Sequence, residues 1–322
     1  MDTPGLKLSV VVISWNQREF LQRLVGQLLD QDYPRLNYEI IVVDDGSTDG
    51  SRDWLASVSG NDVRVVLGAE NRGRSASRNS GIRAATGGVI VMIDGDHTIP
   101  RNYLSILAER HEREYCVIVG KSHFVDHPDY RALNRYLNEG GATKLPADSR
   151  LPGRYFLTRS CSVPRDLIFK VGLFDESFVT WGGEDLDLGM RLEHSGVPIY
   201  GESRCLSWHH HLRTLDELLR VAFEYGRDGI PVLLKRHPQL FRELNLHRML
   251  PDPEAKTSRG VLSRMWFRTL MTAPIYQCVR SFANTFRRRR LPRAVFDYLI
   301  LRQYTAGYRT YLRKQTTHGS NL

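Results

Sequence analysis

Apolar residues in the first hundred positions come in short unbroken runs, each followed by a polar stretch. "LSVVVISWNQ" (8–17) is a β-branched run ending in polar residues, and "YEIIVVDDGSTDGS" (38–51) repeats the arrangement. "VRVVLG" (63–68) and "GGVIVMIDGDHTIP" (87–100) supply two more. Runs without alternation read as strands covered on both faces, the habit of a parallel sheet. Between them the period changes. "REFLQRLVGQLLDQ" (18–31) sets Phe20, Leu21, Leu24 and Leu28 at helical spacing. "RDWLASV" (52–58) follows Ser, Thr and Asp residues able to cap a helix, and "RSASRNSGIRAA" (74–85) is a further helix-like segment. Strands alternating with helices predict an α/β fold with a doubly wound, mostly parallel sheet. Its ligand crevice should lie at the C-terminal ends of the strands.

Beyond Arg101 the pattern loosens. "YCVIVGKSHFV" (115–125) reads as a strand and "RALNRYLNEGG" (131–141) as a helix with a glycine stop. "GRYFLTRSCSVPRDLIFKVGLFDESF" (153–178) holds short strand-like runs around a proline, and "LDELLRVAFEYGRDGIPVLLKR" (215–236) is helical, closed by Gly-Ile-Pro. Pro251 and Pro253 in "LPDPEAKTSRG" mark a linker. A C-terminal helical extension follows in three pieces: "LSRMWFRTL", "PIYQCVRSFANTFRRRR" and "AVFDYLILRQYTAGYRTYLRK". The second carries Ile275, Val279, Phe282 and Phe286 on one helical face. There is no internal repeat.

Composition narrows this little: 322 residues with 41% hydrophobic and 25% charged residues describe a soluble globular chain of one large domain or two ordinary ones. The four cysteines are scattered, which argues against a disulfide framework and fits a reducing compartment. The first apolar stretch, Leu8 to Ile13, is too short for a signal peptide or a membrane span. Charge changes the picture more. Residues 259–322 hold 13 Lys and Arg against one acid (Asp297), within a chain whose net charge is +9. The rest is therefore slightly acidic, and the basic tail should meet an anionic surface.

Candidate chemistry gathers at strand ends. Asp44 and Asp45 close the second run, and Asp94 and Asp96 close the fourth. Singly, each is an ordinary turn signal. Side chains at i and i+2 of an extended segment share a side, so Asp94 and Asp96 could hold one hard cation or divide a ribose and a metal between them. "SWHHHLRT" places His209 and His211 on one face if extended, where one could complete a metal site begun by Asp96. "TWGGEDLDLGMRLEHSG" (180–196) crowds Glu184, Asp185 and Asp187 behind a tryptophan and two glycines, at the mouth of an amphipathic helix.

Four segments in register, "VVVISWNQREFLQRLVGQLLDQ", "IIVVDDGSTDGS", "ENRGRSASRNSGIRAATGGVIVMIDGDHTIP" and "WGGEDLDLGMRLEHSG", resemble nucleotide-sugar glycosyltransferases of the large inverting family two. The resemblance covers roughly residues 6 to 211 and implies the GT-A fold. It implies a nucleotide-sugar-binding half (1–96) and an acceptor-binding half (97–215) of one catalytic domain. A helical segment and linker (216–258) and the basic amphipathic tail (259–322) would follow. The Trp-Gly-Gly-Glu-Asp segment is also similar to that of β-1,4-galactosyltransferases, chondroitin-polymerising enzymes and the retaining polypeptide N-acetylgalactosaminyltransferases. The last of these carry Asn at the position of Asp185.

Carried over residue by residue, the resemblance implies that Ser14, Trp15 and Asp45 hold the nucleoside and that Arg74 and Arg78 meet the diphosphate. Asp94, with Gly95 beside it, would address the ribose, and Asp96 the metal, Mn²⁺ or Mg²⁺. His209 is the first choice for a late metal ligand and His211 the second. Asp185 matches the catalytic base, expected to be kept ionised by the helix N-terminus. Glu184 would bond sugar hydroxyls, Trp181 would stack on a sugar, and Gly182 and Gly183 would let the backbone approach or swing. Asp187 is expected to be a solvent or capping acid. One departure is His97, where the family often has another acid.

The implied activity is metal-dependent, inverting transfer of a hexose or N-acetylhexosamine from a UDP-sugar to a hydroxyl of a saccharide or lipid-linked acceptor. The setting would be cell-surface polysaccharide or glycolipid assembly. The tail would attach the protein peripherally to the anionic inner face of the cell membrane from the cytoplasm. No nucleic-acid recognition motif accompanies its charge. Rival readings are a soluble peptide or small-molecule acceptor and a non-catalytic nucleotide-sugar-binding protein. A nucleotidyltransferase would want a phosphate-binding glycine loop near the first strand, which "ISWNQRE" lacks.

Overall fold

The computed structural model of the protein describes residues 5–60, 62–140, 146, 148–248 and 271–319. The linker expected at "LPDPEAKTSRG" and the helix-like "LSRMWFRTL" lie outside the described residues.

The four apolar runs become β1 (Leu8–Ser14), β2 (Tyr38–Asp44), β3 (Val63–Leu67) and β4 (Val89–Asp94), paired in parallel in the order β3-β2-β1-β4. Their lack of alternation has the expected cause: helices cover both faces. Leu8, Val10 and Val12 of β1 pack with Leu21, Leu24 and Leu28 of α1 (Arg18–Leu29). Val11 turns to the other face, in the cluster that holds Ile82 of α3 (Arg74–Ala84). Each such fully buried aliphatic side chain contributes ~1.5–3 kcal/mol of transfer free energy.

The sheet continues as β7-β6-β8-β5, with β7 (Ser160–Pro164) antiparallel to both β4 and β6 (Val117–Phe124). β8 (Ile199–His209) runs parallel to β6, and the two-residue β5 (His97–Thr98) pairs antiparallel with the end of β8. The sheet is mixed and mostly parallel, as the GT-A expectation requires.

Register decides what meets at the strand ends. Ser14 aligns with Asp44 and Ile13 with Asp94, so β1, β2 and β4 deliver their polar termini at one edge. Across β5 and β8, His97 aligns with His209. α7 (Glu184–His194) starts at the acidic cluster, with Leu188 and Leu192 buried in the core beside Ile82.

This sheet and its helices form one compact unit, made of the described residues up to Val125, Leu137–Val179 and Glu184–Leu212. A second unit comprises Asp126–Tyr136, Thr180–Gly183 and the described residues from Arg213 onward. Within it, Thr214 and Glu217 form a capping box at the start of α8 (Leu215–Glu224). Helical structure does not stop at Gly-Ile-Pro as expected. A π-helical turn, Tyr225–Gly229, runs directly into α9 (Ile230–Arg236), which carries Pro231 in its first turn. The helix Arg293–Gly319 packs on this segment, and Gly226 and Gly307 leave room for the two backbones to touch.

In the helix Ala273–Thr285 the buried residues are Tyr276 and Ala283. Phe282 and Phe286 are exposed and lie against each other, ring centroids 4.8 Å apart. Among the described residues no helix is long and apolar enough to cross a membrane.

Candidate active site

Arg78 projects from α3 into a nest of acids. Its guanidinium lies 3.0 Å from Asp94 Oδ1, 3.2 Å from Glu184 Oε1 and 3.6 Å from Asp185 Oδ1, and it is buried. One cation among three carboxylates leaves excess negative charge in a low-dielectric place, and the acids respond differently. Burial is the largest single influence on Asp94 and works against its ionisation, but the charges of Arg78, His97 and Arg74 together hold this carboxyl below its ordinary value. For Asp185, burial and then the adjacent Glu184 charge push the carboxyl up to about 6, against the pull of Arg78 and Thr158. Asp185 was expected to be kept ionised by the helix N-terminus; burial raises it towards neutrality, where it can still accept a proton. Two neighbouring carboxyls driven apart in this way are suited to different roles.

Thr158 fixes Asp185. Its hydroxyl donates to Oδ1 at 2.7 Å and its backbone N–H to Oδ2 at 3.3 Å. Glu184 is buried and its Oε2 has no partner. Arg78, expected at a diphosphate, is instead the counter-charge of the acid nest. Asp187 is also corrected: it is fully buried and paired one turn on with Arg191 at 2.7 Å, because α7 turns this face to the core.

The second cluster forms around Asp96. His209 Nε2 lies 3.2 Å from Asp96 Oδ2, and His97 Nδ1 3.0 Å from Asp96 Oδ1. The other nitrogen of His97 meets Ser122 Oγ at 3.1 Å, so both its ring nitrogens are engaged. His209 Nδ1 is buried without a partner. Burial also pulls the His209 imidazole below its ordinary value, although Asp96 draws it the other way. Burial opposes the Asp96 charge, yet hydrogen bonds from His209 and His97 hold its carboxyl well below the usual range. A neutral imidazole and an ionised carboxylate are the protonation states a divalent cation needs, so the donor set fits such an ion. Asp96, His97 and His209 bring ligand atoms within 4.8 Å of one another.

His211 does not join them. β8 ends at His209, so the strand alternation that would have put 209 and 211 on one face stops, and the two rings stand 6.5 Å apart. His210 meets Thr98 Oγ1 at 2.8 Å instead.

At the strand ends, Trp15 is 51% exposed, a flat surface open to a ligand, and Ser14 Oγ is buried without a partner. Asp45 accepts the backbone N–H groups of Arg72 and Gly73 at 2.9 Å each, which braces the turn before α3. Arg74 begins α3 and acts electrostatically on Asp94. Gly95 lies against the Ile13 carbonyl and Ser14. Trp181, Gly182 and Gly183 belong to the second unit. There the Arg213 guanidinium sits 5.3 Å from the Trp181 ring, and both glycines hold positive φ, with Gly182 against the Tyr225 ring.

Sequence reasoning missed Thr158, Ser122 and Gln17, whose amide donates to Asp96 Oδ2 at 3.2 Å. Nothing around Thr158 or Ser122 marks them. Gln17 stands in the polar end of the first run, where it was legible.

The family model for glycosyl transferase family 2 matches residues 9–172. A validoxylamine A glucosyltransferase of Streptomyces hygroscopicus subsp. jinggangensis is 30% identical over 221 residues, covering 60% of this chain and 52% of that protein. The chain thus spans about half the length of that relative. Glycosyltransferase AglE of Haloferax volcanii is 25% identical over 288 residues, 83% of this chain and 91% of its own. Among solved structures, a mannosyltransferase of Pyrobaculum calidifontis in complex with GDP-Man and Mn²⁺ superposes with a TM-score of 0.60 at 19% identity. It covers 96% of this chain and 88% of that one. S. aureus TarS 1–349 in complex with UDP-GlcNAc gives 0.55 at 16% identity, covering 95% and 92%. These likenesses bear out the fold, and the family match spans half of the chain: it belongs to glycosyl transferase family 2.

Proposed function

We propose that the protein is a divalent-metal-dependent, inverting glycosyltransferase that moves a hexose or N-acetylhexosamine from a UDP-sugar to an acceptor hydroxyl. The observation that carries this reading is Asp185: a carboxyl pushed up to about 6, oriented by Thr158 and set at the first turn of a helix beside the acids of the sheet edge. A base poised near neutrality is what abstraction of a hydroxyl proton needs. Asp185 takes the acceptor proton as the acceptor oxygen bonds to the anomeric carbon. The bond from that carbon to the nucleotide's β-phosphate oxygen breaks on the opposite face, and UDP leaves with the electron pair. Glu184, with one oxygen unpartnered, receives a sugar hydroxyl.

Trp15 offers a face to the base, Asp45 and Ser14 bond the nucleoside, Asp94 and Gly95 meet the ribose, and Arg74 faces the diphosphate. Asp96 and His209 would hold the cation, whose chemistry is to offset charge on the departing diphosphate. On this reading residues 1–96 bind donor and 97–215 acceptor. The basic tail, with Phe282 and Phe286 exposed beside Arg287–Arg290, supports peripheral attachment to an anionic membrane face and a lipid-linked acceptor. A soluble small-molecule acceptor is the second reading, favoured by the likeness to a validoxylamine A glucosyltransferase.

The test is nucleotide release from a panel of UDP- and GDP-sugars, with and without Mn²⁺, in the presence of sugar and lipid-linked acceptors. Acceptor-stimulated UDP release with a β-configured product from an α-donor is expected. Retained configuration, or no turnover with any donor, overturns the reading.

A further inference from the structure

The pairing of β6 with β8 breaks once. Gly120 faces Glu202, but the next residue, Lys121, faces Leu206, so three residues of β8 bulge out of the ladder. Bulges re-aim side chains and often border functional sites. Here Gly120 is required: a Cβ would run into Ser160 Oγ and lie 2.8 Å from the Cys205 carbonyl. Beside the bulge opens a cavity of about 300 Å³, with Leu151 and Leu157 in its wall and Lys121, Asp148, Arg159 and Glu202 around it. That size falls at the lower end for small-molecule sites.

The four charges are not equivalent. Asp148 accepts from the Ser203 backbone at 2.9 Å and from its hydroxyl at 3.1 Å. Glu202 is paired with Arg204 at 3.0 Å and faces Arg110 at 3.8 Å. Both acids are therefore spent on the protein's own groups. Among the described residues, neither Lys121 nor Arg159 has a carboxylate within ion-pair distance; Arg159 instead lies 5.7 Å from the Phe124 ring. Burial pulls Arg159 down from its ordinary value, against the raising influence of Asp94, Asp185 and Asp96 around it. Its neighbour in sequence, Thr158, holds Asp185.

We infer that this cavity is the acceptor subsite and that it takes an anionic sugar, whose phosphate or carboxylate is held by Lys121 and Arg159 while a hydroxyl faces Asp185. This rests on the transferase reading above and names the substrate class of its acceptor side.

The probes are glucose 1-phosphate, glucuronate and neutral methyl β-glucoside. Each is titrated calorimetrically into the full-length protein with excess EDTA, which removes metal-borne phosphate binding at the donor side. UDP binding with Mn²⁺ is measured separately on the same wild-type preparation. At least one anionic sugar is expected to bind and the neutral one not, and which anion binds distinguishes phosphate from carboxylate. Lys121→Gln should weaken that binding about fivefold to tenfold, as expected for one partly solvated charge pair. Arg159→Gln should weaken it further, and Lys121→Arg should restore it. Equal affinity for charged and neutral sugars, or anion binding indifferent to both Gln variants, overturns the assignment. Lys121-dependent anion binding without any UDP binding would instead leave the anion site standing and bring down the proposed UDP-sugar donor.

Discussion

Replacing Thr158 by valine removes one hydroxyl and keeps the shape of the side chain. That hydroxyl donates to Asp185 Oδ1 at 2.7 Å, whereas the backbone N–H at 3.3 Å survives the change. A hydrogen bond to a charged acceptor contributes ~1.5–3 kcal/mol, and with one donor retained the lower figure applies. At 1.36 kcal/mol per pH unit this is about one unit. The sign follows from the charge state: the lost donor stabilised the carboxylate, so its loss raises the carboxyl further above about 6. The acid limb of kcat/KM, which reports the free enzyme, should therefore move from near 6 to about 7. Activity at pH 6 should fall about fivefold, while activity at pH 9 stays near that of the wild type. The assay is UDP release across pH 5 to 9 at subsaturating acceptor. A limb that stays put, moves down, or is matched by an equal loss at pH 9 would refute the assignment of Asp185 as the titrating base.

Asp185→Asn should remove turnover by about 10²–10⁴-fold. It should also stabilise the fold above pH 7: a buried carboxyl raised from its ordinary value to about 6 contributes stability below pH ~4 that is lost as pH rises through 6. Chemical denaturation of the variant at pH 4 and pH 8 reads the difference, and an advantage confined to pH 4 would contradict the sign. EDTA should abolish transfer and Mn²⁺ or Mg²⁺ restore it, with Asp96→Ala and His209→Ala each weakening the cation dependence of UDP binding measured by calorimetry; full activity in EDTA would exclude the metal role. The full chain should pellet with anionic vesicles at low salt and release as salt rises. Replacing Arg287–Arg290 by Gln should prevent this, whereas equal pelleting of both proteins would make the tail ordinary structure.

Local chemistry made much of this protein legible. The unbroken apolar runs could only be strands covered on both faces, and the helical spacing between them identified the covers. From those alone the parallel half of the sheet, its order of elements and the polar edge bearing Ser14, Asp45 and Asp94 could be read. The acidic mouth of α7 was equally plain, since Glu184 and Asp185 precede an amphipathic stretch. Long-range contacts decided the rest, because charge and burial are properties of what surrounds a group. Asp187 has the same carboxylate as its neighbours, but the core side of α7 takes it and Arg191 pairs with it. Arg78 lies far from Glu184 in sequence, and only the packing of α3 and α7 in one core makes it the counter-ion of three acids. His209 and not His211 joins Asp96 because β8 ends where β5 pairs with it, a register that no periodicity within either segment specifies. The upward shift of Asp185 itself comes from burial and the neighbouring Glu184 charge against the pull of Arg78 and Thr158, and of these only Glu184 is beside it before the chain has folded.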